Sequence, residues 1–89
     1  MSKKQVTFTY NANSEARAVY VVGDFNDWKP TTGKMSKVKQ NGTFQLKVKL
    51  APGEYQYKFI VDGAWLNDPQ AKEQVMNPHG SLNSVIRVE

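Results

Sequence analysis

Four side chains in this chain suit the recognition of a sugar: Trp28, Lys58, Trp65 and Asn83. A sugar ring has an apolar C–H face and a rim of hydroxyls. An indole stacks on the face, and ammonium and amide groups bond the hydroxyls. The rival chemistry is single-stranded nucleic acid, whose bases also stack on aromatic rings but whose backbone wants a basic groove around them. Asp24, Asp27, Asp62 and Asp68 lie beside the two tryptophans in sequence and argue against a polyanion. A neutral glucan needs no charge complement. The formal net charge of +4, from twelve Lys and Arg against eight Asp and Glu, neither helps nor hurts it. The lysines are spread along the chain and read as solvated groups on strand faces and edges.

Catalysis has little to stand on. His79 is the single histidine and there is no cysteine. Ser81 and His79 are too close in sequence to act as nucleophile and base without an orienting carboxylate, and none is evident. Asp62 reads as a turn residue, and Asp68, before Pro69, as another. One histidine does not make a metal site. We therefore expect no enzyme, no catalytic residue, no metal and no cofactor.

The elements that must carry these side chains are strands. VTFTY (Val6–Tyr10), AVYVVG (Ala18–Gly23), TFQLKVKL (Thr43–Leu50), EYQYKFIV (Glu54–Val61) and SVIRV (Ser84–Val88) are rich in β-branched and aromatic residues. Several alternate with period 2, the mark of a half-buried strand. Phe44, Leu46, Val48 and Leu50 share one face, and Tyr55, Tyr57, Phe59 and Val61 share another. Asn41-Gly42, Pro52-Gly53 and Asp62-Gly63 punctuate the runs as turns. No sustained helical period exists, and Pro69–Glu73 is at most one short turn. The expectation is an all-β, immunoglobulin-like β-sandwich formed by residues 1–89 as a single domain. One register is awkward. A two-residue turn at Asn41-Gly42 pairs Met35 with Val48 but sets Lys37 and Lys39 on the Phe44/Leu46 face. Either those lysines snorkel at the rim or the loop is longer.

The Asp62-Gly63 turn is sharper. A two-residue loop pairs Val61 with Ala64 and Ile60 with Trp65. Trp65 then shares the face of Lys58 and Gln56, opposite the aromatic core face, with Lys58 a diagonal neighbour. Trp65 is then either an exposed recognition residue or a cap on the sandwich edge, packed under the loop 67–77. Trp28 ends the turn GDFNDW. There Gly23 closes a strand, Phe25 turns inward, and Asn26-Asp27 swing the indole outward.

Length and composition bound the rest. A chain of 89 residues buries only about 60–65% of its unfolded surface in one core. No apolar run approaches the roughly 18 residues of a membrane span, and the start MSKKQ lacks the apolar run of a leader. With no cysteine, a cytoplasmic, soluble protein is expected.

VVGDFNDWKP (Val21–Pro30), LAPGEYQYKFIVDGAWLNDP (Leu50–Pro69) and NPHGSLNSVIRV (Asn77–Val88) resemble the family-48 carbohydrate-binding modules. Those modules include the glycogen-binding domains of AMP-activated kinase β subunits and the N-terminal domains of isoamylases and branching enzymes. The resemblance covers roughly Val6 to Val88, with the blocks in the family's order and spacing. It implies an early-set immunoglobulin-like sandwich that binds α-1,4-glucans such as glycogen or starch. It implies sugar-stacking roles for Trp28 and Trp65, and hydroxyl contacts for Lys58, Ser81 and Asn83. One position departs from the kinase subunits: His79 stands where they carry a leucine that pokes through the curved glucan. The residue list expected to touch sugar is thus Trp28, Lys58, Trp65, His79, Ser81 and Asn83. The alternative is a regulatory or protein-interaction module for a partner enzyme or kinase, with weak sugar binding or none. The chain would be a free-standing module or an excised or single-domain version of one.

Overall fold

The computed structural model describes residues 3–12, 16–39 and 42–89, and eight strands form among them. They are β1 (Lys4–Asn11), β2 (Val19–Gly23), β3 (Ser36–Lys39), β4 (Thr43–Leu50), β5 (Gly53–Val61), β6 (Ala64–Leu66), β7 (Glu73–Met76) and β8 (Leu82–Val88). Short 3-10 turns, Asp24–Asn26 and Pro30–Thr32, follow β2. One antiparallel sheet has the order β1-β4-β3; the other has β2-β5-β8-β7, with β6 paired to β5. The result is the all-β sandwich that the alternating strands call for.

Alternation decides what lies between the sheets. In the first sheet Val6 pairs with Val48, Phe8 with Leu46 and Tyr10 with Phe44, so one face is apolar. In the second, Val19 pairs with Val61 and Val21 with Phe59. Phe59, Val19 and Val21 are wholly buried. Each such side chain stabilises the fold by about 1.5–3 kcal/mol relative to exposure. Aromatic rings lock the sheets together: Phe8 meets Tyr57 edge-on at 5.1 Å, and Tyr10 meets Phe59 at 5.0 Å. Phe25 does turn inward, stacking on Phe8 at 5.1 Å and closing that end of the sandwich.

The Asp62-Gly63 hairpin has the register deduced from its sequence: Val61 opposite Ala64, Ile60 opposite Trp65. Both turn residues have positive φ, 47° and 89°, as a type I′ turn demands. Asp62 also has a structural task. Its carboxylate accepts the backbone N–H groups of Arg17 and Ala18, tying the turn to the start of β2.

Three expectations need correction or extension. The β3–β4 connection is longer than two residues. Ser36 pairs with Gln45 and Lys37 with Phe44, and the register shifts before Lys39. Asn41 and the Lys39 side chain lie outside the described residues. Residues 73–76 are not loop but β7, pairing with β8 from Glu73–Val85 to Met76–Leu82. EQVM is too short and too weakly alternating to announce a strand, and its partner across the ladder supplies the order. Asp68 is more than a local turn residue. It does accept from the Gln70 N–H, but it also takes the Tyr57 hydroxyl at 2.7 Å and donates its own N–H to Ser84 Oγ. Burial and the Asp68 carboxylate push the Tyr57 phenol well above its ordinary pKa.

The second sheet is buried on both faces near its centre. Val22 and Ile60, on the face away from the core, are 0% and 7% exposed. The loop after β2 folds back alongside that strand, where Tyr20 bridges Lys34. Gly33 lies so close to β2 that a Cβ there would overlap the Val21 carbonyl oxygen. This segment bonds to the free edge of β2, with the Val21 N–H donating to Gly33 O and the Met35 N–H to Val19 O.

Candidate functional site

Trp28 is set by a strained corner. Gly23 N–H donates to Asn26 Oδ1, and Asn26 Nδ2 donates to Val21 O, so Asn26 braces the turn. The next two residues, Asp27 and Trp28, both take left-handed backbone, φ 55° and 59°. A bulky residue in that region is unusual and costs about 1–3 kcal/mol, the kind of strain found at functional corners. The Trp28 N–H donates to Gly23 O at 3.0 Å, which closes the corner. The indole N–H donates to Asp24 Oδ1 at 3.1 Å, and Asp24 Oδ2 accepts the Gln56 backbone N–H at 2.8 Å. The ring is thereby fastened to the edge of β5.

The floor comes from β5. Val22 stands opposite Lys58 across β2–β5, and Gln56 stands opposite Val85 across β5–β8. Lys58 is only 9% exposed. This corrects the picture of a plain solvent face: the lysine sits low between flanking loops. Its ammonium donates to Ser81 Oγ at 3.0 Å. Both ion pairs among the described residues belong to Arg87, which bridges Glu54 and Glu73 far along the ladder. Lys58 therefore has no carboxylate partner there. Trp65, on β6, is 52% exposed, which settles the choice between recognition-ready indole and buried edge cap in favour of exposure.

The third wall is the loop between β7 and β8. Asn77 organises it, receiving the backbone N–H groups of His79 and Ser81 on its side-chain oxygen. Gly80 turns the chain with φ 83°, and its N–H donates to Asn77 O. Asn83 is 7% exposed and donates from Nδ2 to Gln56 Oε1 at 3.0 Å. His79 and Ser81 are exposed on the rim.

These three parts enclose one groove of about 630 Å³. Trp28, Lys58, Trp65, His79, Ser81 and Asn83 all line it, so the six residues singled out in the sequence meet in one place. Four further lining residues were not singled out: Asp24, Gln56, Asn77 and Pro78. Gln56 follows from parity, since it shares the face of Lys58. Asn77 and Pro78 have a weaker signal, the Asn-Pro turn pair before His79-Gly80. Asp24 looks like an ordinary turn residue until its partners are known. Among the described residues no three His, Cys, Asp or Glu side chains gather as a metal ion would need. The groove offers two aromatic surfaces and a polar floor carrying one buried ammonium. That is equipment for gripping a ligand with flat apolar faces and hydrogen-bonding edges.

A sandwich with such a groove has the makings of a recognition module. The chain belongs to a carbohydrate-recognition family: the model described as the glycogen recognition site of AMP-activated protein kinase matches residues 4–89. Among curated relatives, the chloroplastic protein FLOURY ENDOSPERM 6 of Oryza sativa subsp. japonica is 36% identical over 88 residues, spanning 86% of this chain and 16% of that protein. The 5'-AMP-activated protein kinase subunit beta-1 of Sus scrofa is 36% identical over 73 residues, spanning 82% of this chain and 56% of that subunit. Among solved structures, the maltogenic amylase from S. marinus superposes with a TM-score of 0.80 at 25% identity, covering 98% of this chain and 14% of that enzyme. The chain thus spans between about a seventh and just over half of these proteins' lengths.

Proposed function

We propose that this chain is a non-catalytic module that binds α-1,4-glucans of the glycogen and starch type in the groove between Trp28, Trp65 and the 77–81 loop. One observation carries the reading: the indole of a loop residue, Trp28, and that of Trp65 on β6 line the same groove as Lys58, Ser81 and Asn83. The family's description as a glycogen recognition site supports it. Trp28 and Trp65 stack on sugar faces, Lys58, Ser81 and Asn83 bond hydroxyls, and His79 borders the site with an imidazole in place of an apolar wedge. A shallow site of this kind holds a few glucose units at micromolar to millimolar affinity, about −4 to −8 kcal/mol. Titration of intrinsic tryptophan fluorescence with maltoheptaose tests it. Saturable quenching or a shift is expected, strongly reduced in Trp65→Ala with the far-UV spectrum unchanged. A folded protein with no response to any malto-oligosaccharide would sink the proposal.

A second reading concerns partners. The pig relative is named as a kinase subunit, which favours a module that brings a kinase or another enzyme to the glucan. Co-purification of a partner that survives Trp65→Ala would separate docking from sugar binding. Loss of the partner whenever glucan binding is lost would leave the sugar as the sole link.

A further inference from the structure

The Asn77 side chain has no hydrogen-bonding capacity to spare. An amide oxygen has two lone pairs and an amide nitrogen two hydrogens. Asn77 Oδ1 accepts the His79 and Ser81 backbone N–H groups at 2.9 and 3.1 Å. Its Nδ2 donates to Ser81 Oγ at 2.7 Å and to Asn83 Oδ1 at 3.0 Å. The main chain of the same residue adds two more bonds, to Ser81 O and from the Gly80 N–H.

The direction of every bond in this network is forced. A backbone N–H only donates, so the Asn77 atom facing His79 and Ser81 is the oxygen, and the other atom is the nitrogen. That nitrogen makes the Asn83 atom it meets an oxygen. Asn83 Nδ2 then donates to Gln56 Oε1 at 3.0 Å. Ser81 Oγ receives both Asn77 Nδ2 and Lys58 Nζ, so its two lone pairs are taken and its hydrogen points away from both. What remains for a ligand is mainly donors: the other Lys58 N–H groups, the Ser81 O–H, the second Asn83 N–H and the Gln56 amide NH₂, against one lone pair each on Asn83 Oδ1 and Gln56 Oε1.

We infer that Asn77, which needs no sugar contact of its own, is a positioning residue that polarises the groove floor to donate. The floor then selects ligand oxygens that act as acceptors. The inference rests on the glucan reading above and adds to it the sense of the hydrogen bonds and the residue that sets that sense.

The test compares monodeoxy and monodeoxyfluoro malto-oligosaccharides, each modified at one hydroxyl in turn, by calorimetric titration. Fluorine accepts a hydrogen bond but cannot donate one. At the hydroxyl most sensitive to deoxygenation, where roughly ten- to hundredfold is lost with a charged donor, fluorine is expected to restore part of the affinity. If fluorine does no better than hydrogen at every position, the donor floor is wrong. This arm uses the unsubstituted chain and does not depend on a variant folding. The second arm is Asn77→Asp, which keeps the acceptor for His79 and Ser81 but presents oxygen where Nδ2 was. The Ser81 O–H and the Lys58 ammonium then turn inward. Binding is expected to fall roughly ten- to hundredfold, on the same scale, and the fluorine preference to vanish. Unchanged affinity in Asn77→Asp would overturn the positioning role while leaving glucan binding in place. No binding of unmodified maltoheptaose by the folded, unsubstituted chain would instead overturn the glucan reading, and this inference with it.

Discussion

The indole N–H of Trp28 donates to Asp24, while the second oxygen of the same carboxylate accepts the Gln56 backbone N–H. One carboxylate therefore fastens a loop tryptophan to the rim of a central strand. The indole spends its single donor on the protein, so only its ring face is left for a ligand. Asp24→Ala leaves two donors unpaired and frees the ring. It should destabilise the protein by about 1–3 kcal/mol, change the near-UV tryptophan signal and weaken maltoheptaose binding. An unchanged near-UV spectrum and unchanged binding would show that Trp28 holds its place without Asp24.

The two tryptophans should respond differently to truncation. Trp65 is half exposed and spends nothing in the core, so Trp65→Ala should alter stability by no more than about 0.5 kcal/mol. Its loss from the groove should still cost binding at least about tenfold, the scale of an aromatic anchor. Trp28→Ala should cost both stability and binding, because the ring is held by Asp24 within the corner. Thermal melts beside titrations separate the two patterns, and equal stability losses would contradict them.

Lys58 is a buried cation whose ammonium donates to a hydroxyl, that of Ser81. Desolvating an ammonium without a counter-ion opposes folding. Lys58→Met keeps the stem and removes the charge. It should leave stability unchanged or raise it by about 1 kcal/mol, while abolishing measurable glucan binding, the trade expected at a binding site. A variant that is less stable yet binds normally would contradict this account.

Gly33 is required for space. A Cβ there would overlap the Val21 carbonyl oxygen, and backbone cannot swing aside as a side chain can. Gly33→Ala should destabilise by more than about 2 kcal/mol, in the upper range for single substitutions. Chemical denaturation with an unchanged midpoint would show that the 30–35 segment shifts freely. Gly63, whose added Cβ would meet nothing within 4 Å, is strained only by its φ of 89° and should cost about 1–2 kcal/mol as alanine.

Stability should vary with pH at both ends. The Tyr57 phenol is raised in the folded state by burial and by Asp68. Its contribution is full below the unfolded phenol value of about 10 and declines as pH rises beyond it. Tyr57→Phe should cost about 1–3 kcal/mol at neutral pH by stranding the Asp68 oxygen and should flatten the alkaline decline. At the acid end, Arg87 holds Glu73 below its usual range. That stabilisation is present above the unfolded carboxylate value of about 4.3 and is lost as pH falls through the lowered folded one. The pair is exposed, so the loss should be small. Urea midpoints measured across pH test both arms, and a flat alkaline limb in the unsubstituted protein would contradict the first.

Much of the fold was legible because its rules are local. Alternation along residues 43–50 and 54–61 fixes which side chains face the core, since successive residues of a strand point to opposite faces. The Asp62-Gly63 pair points to a register, since Asp-Gly favours the type I′ turn, which joins two strands in two residues. Those two facts alone set Trp65 on the face of Lys58. Strand β7 was not legible: Glu73–Met76 is ordered by its ladder with β8 and not by its own propensity. The β3–β4 register was legible only as a conflict: the longer loop moves Lys39 opposite Thr43, while Lys37 stays opposite Phe44 and is exposed at the rim of that face.

The sandwich, the aromatic core face and the pairing of Trp65 with Ile60 are all consequences of period and turn chemistry. Contacts distant in sequence bring Trp28 to Trp65 around one groove, bury Lys58 in its floor and let Asn77 orient the network. Each of these depends on loops closing across the sheet. Asp24 reaches β5 over 32 positions, and Lys58 reaches Ser81 over 23. No local pattern encodes such separations, because the energy that selects them comes from burial and hydrogen bonds made after the chain has folded.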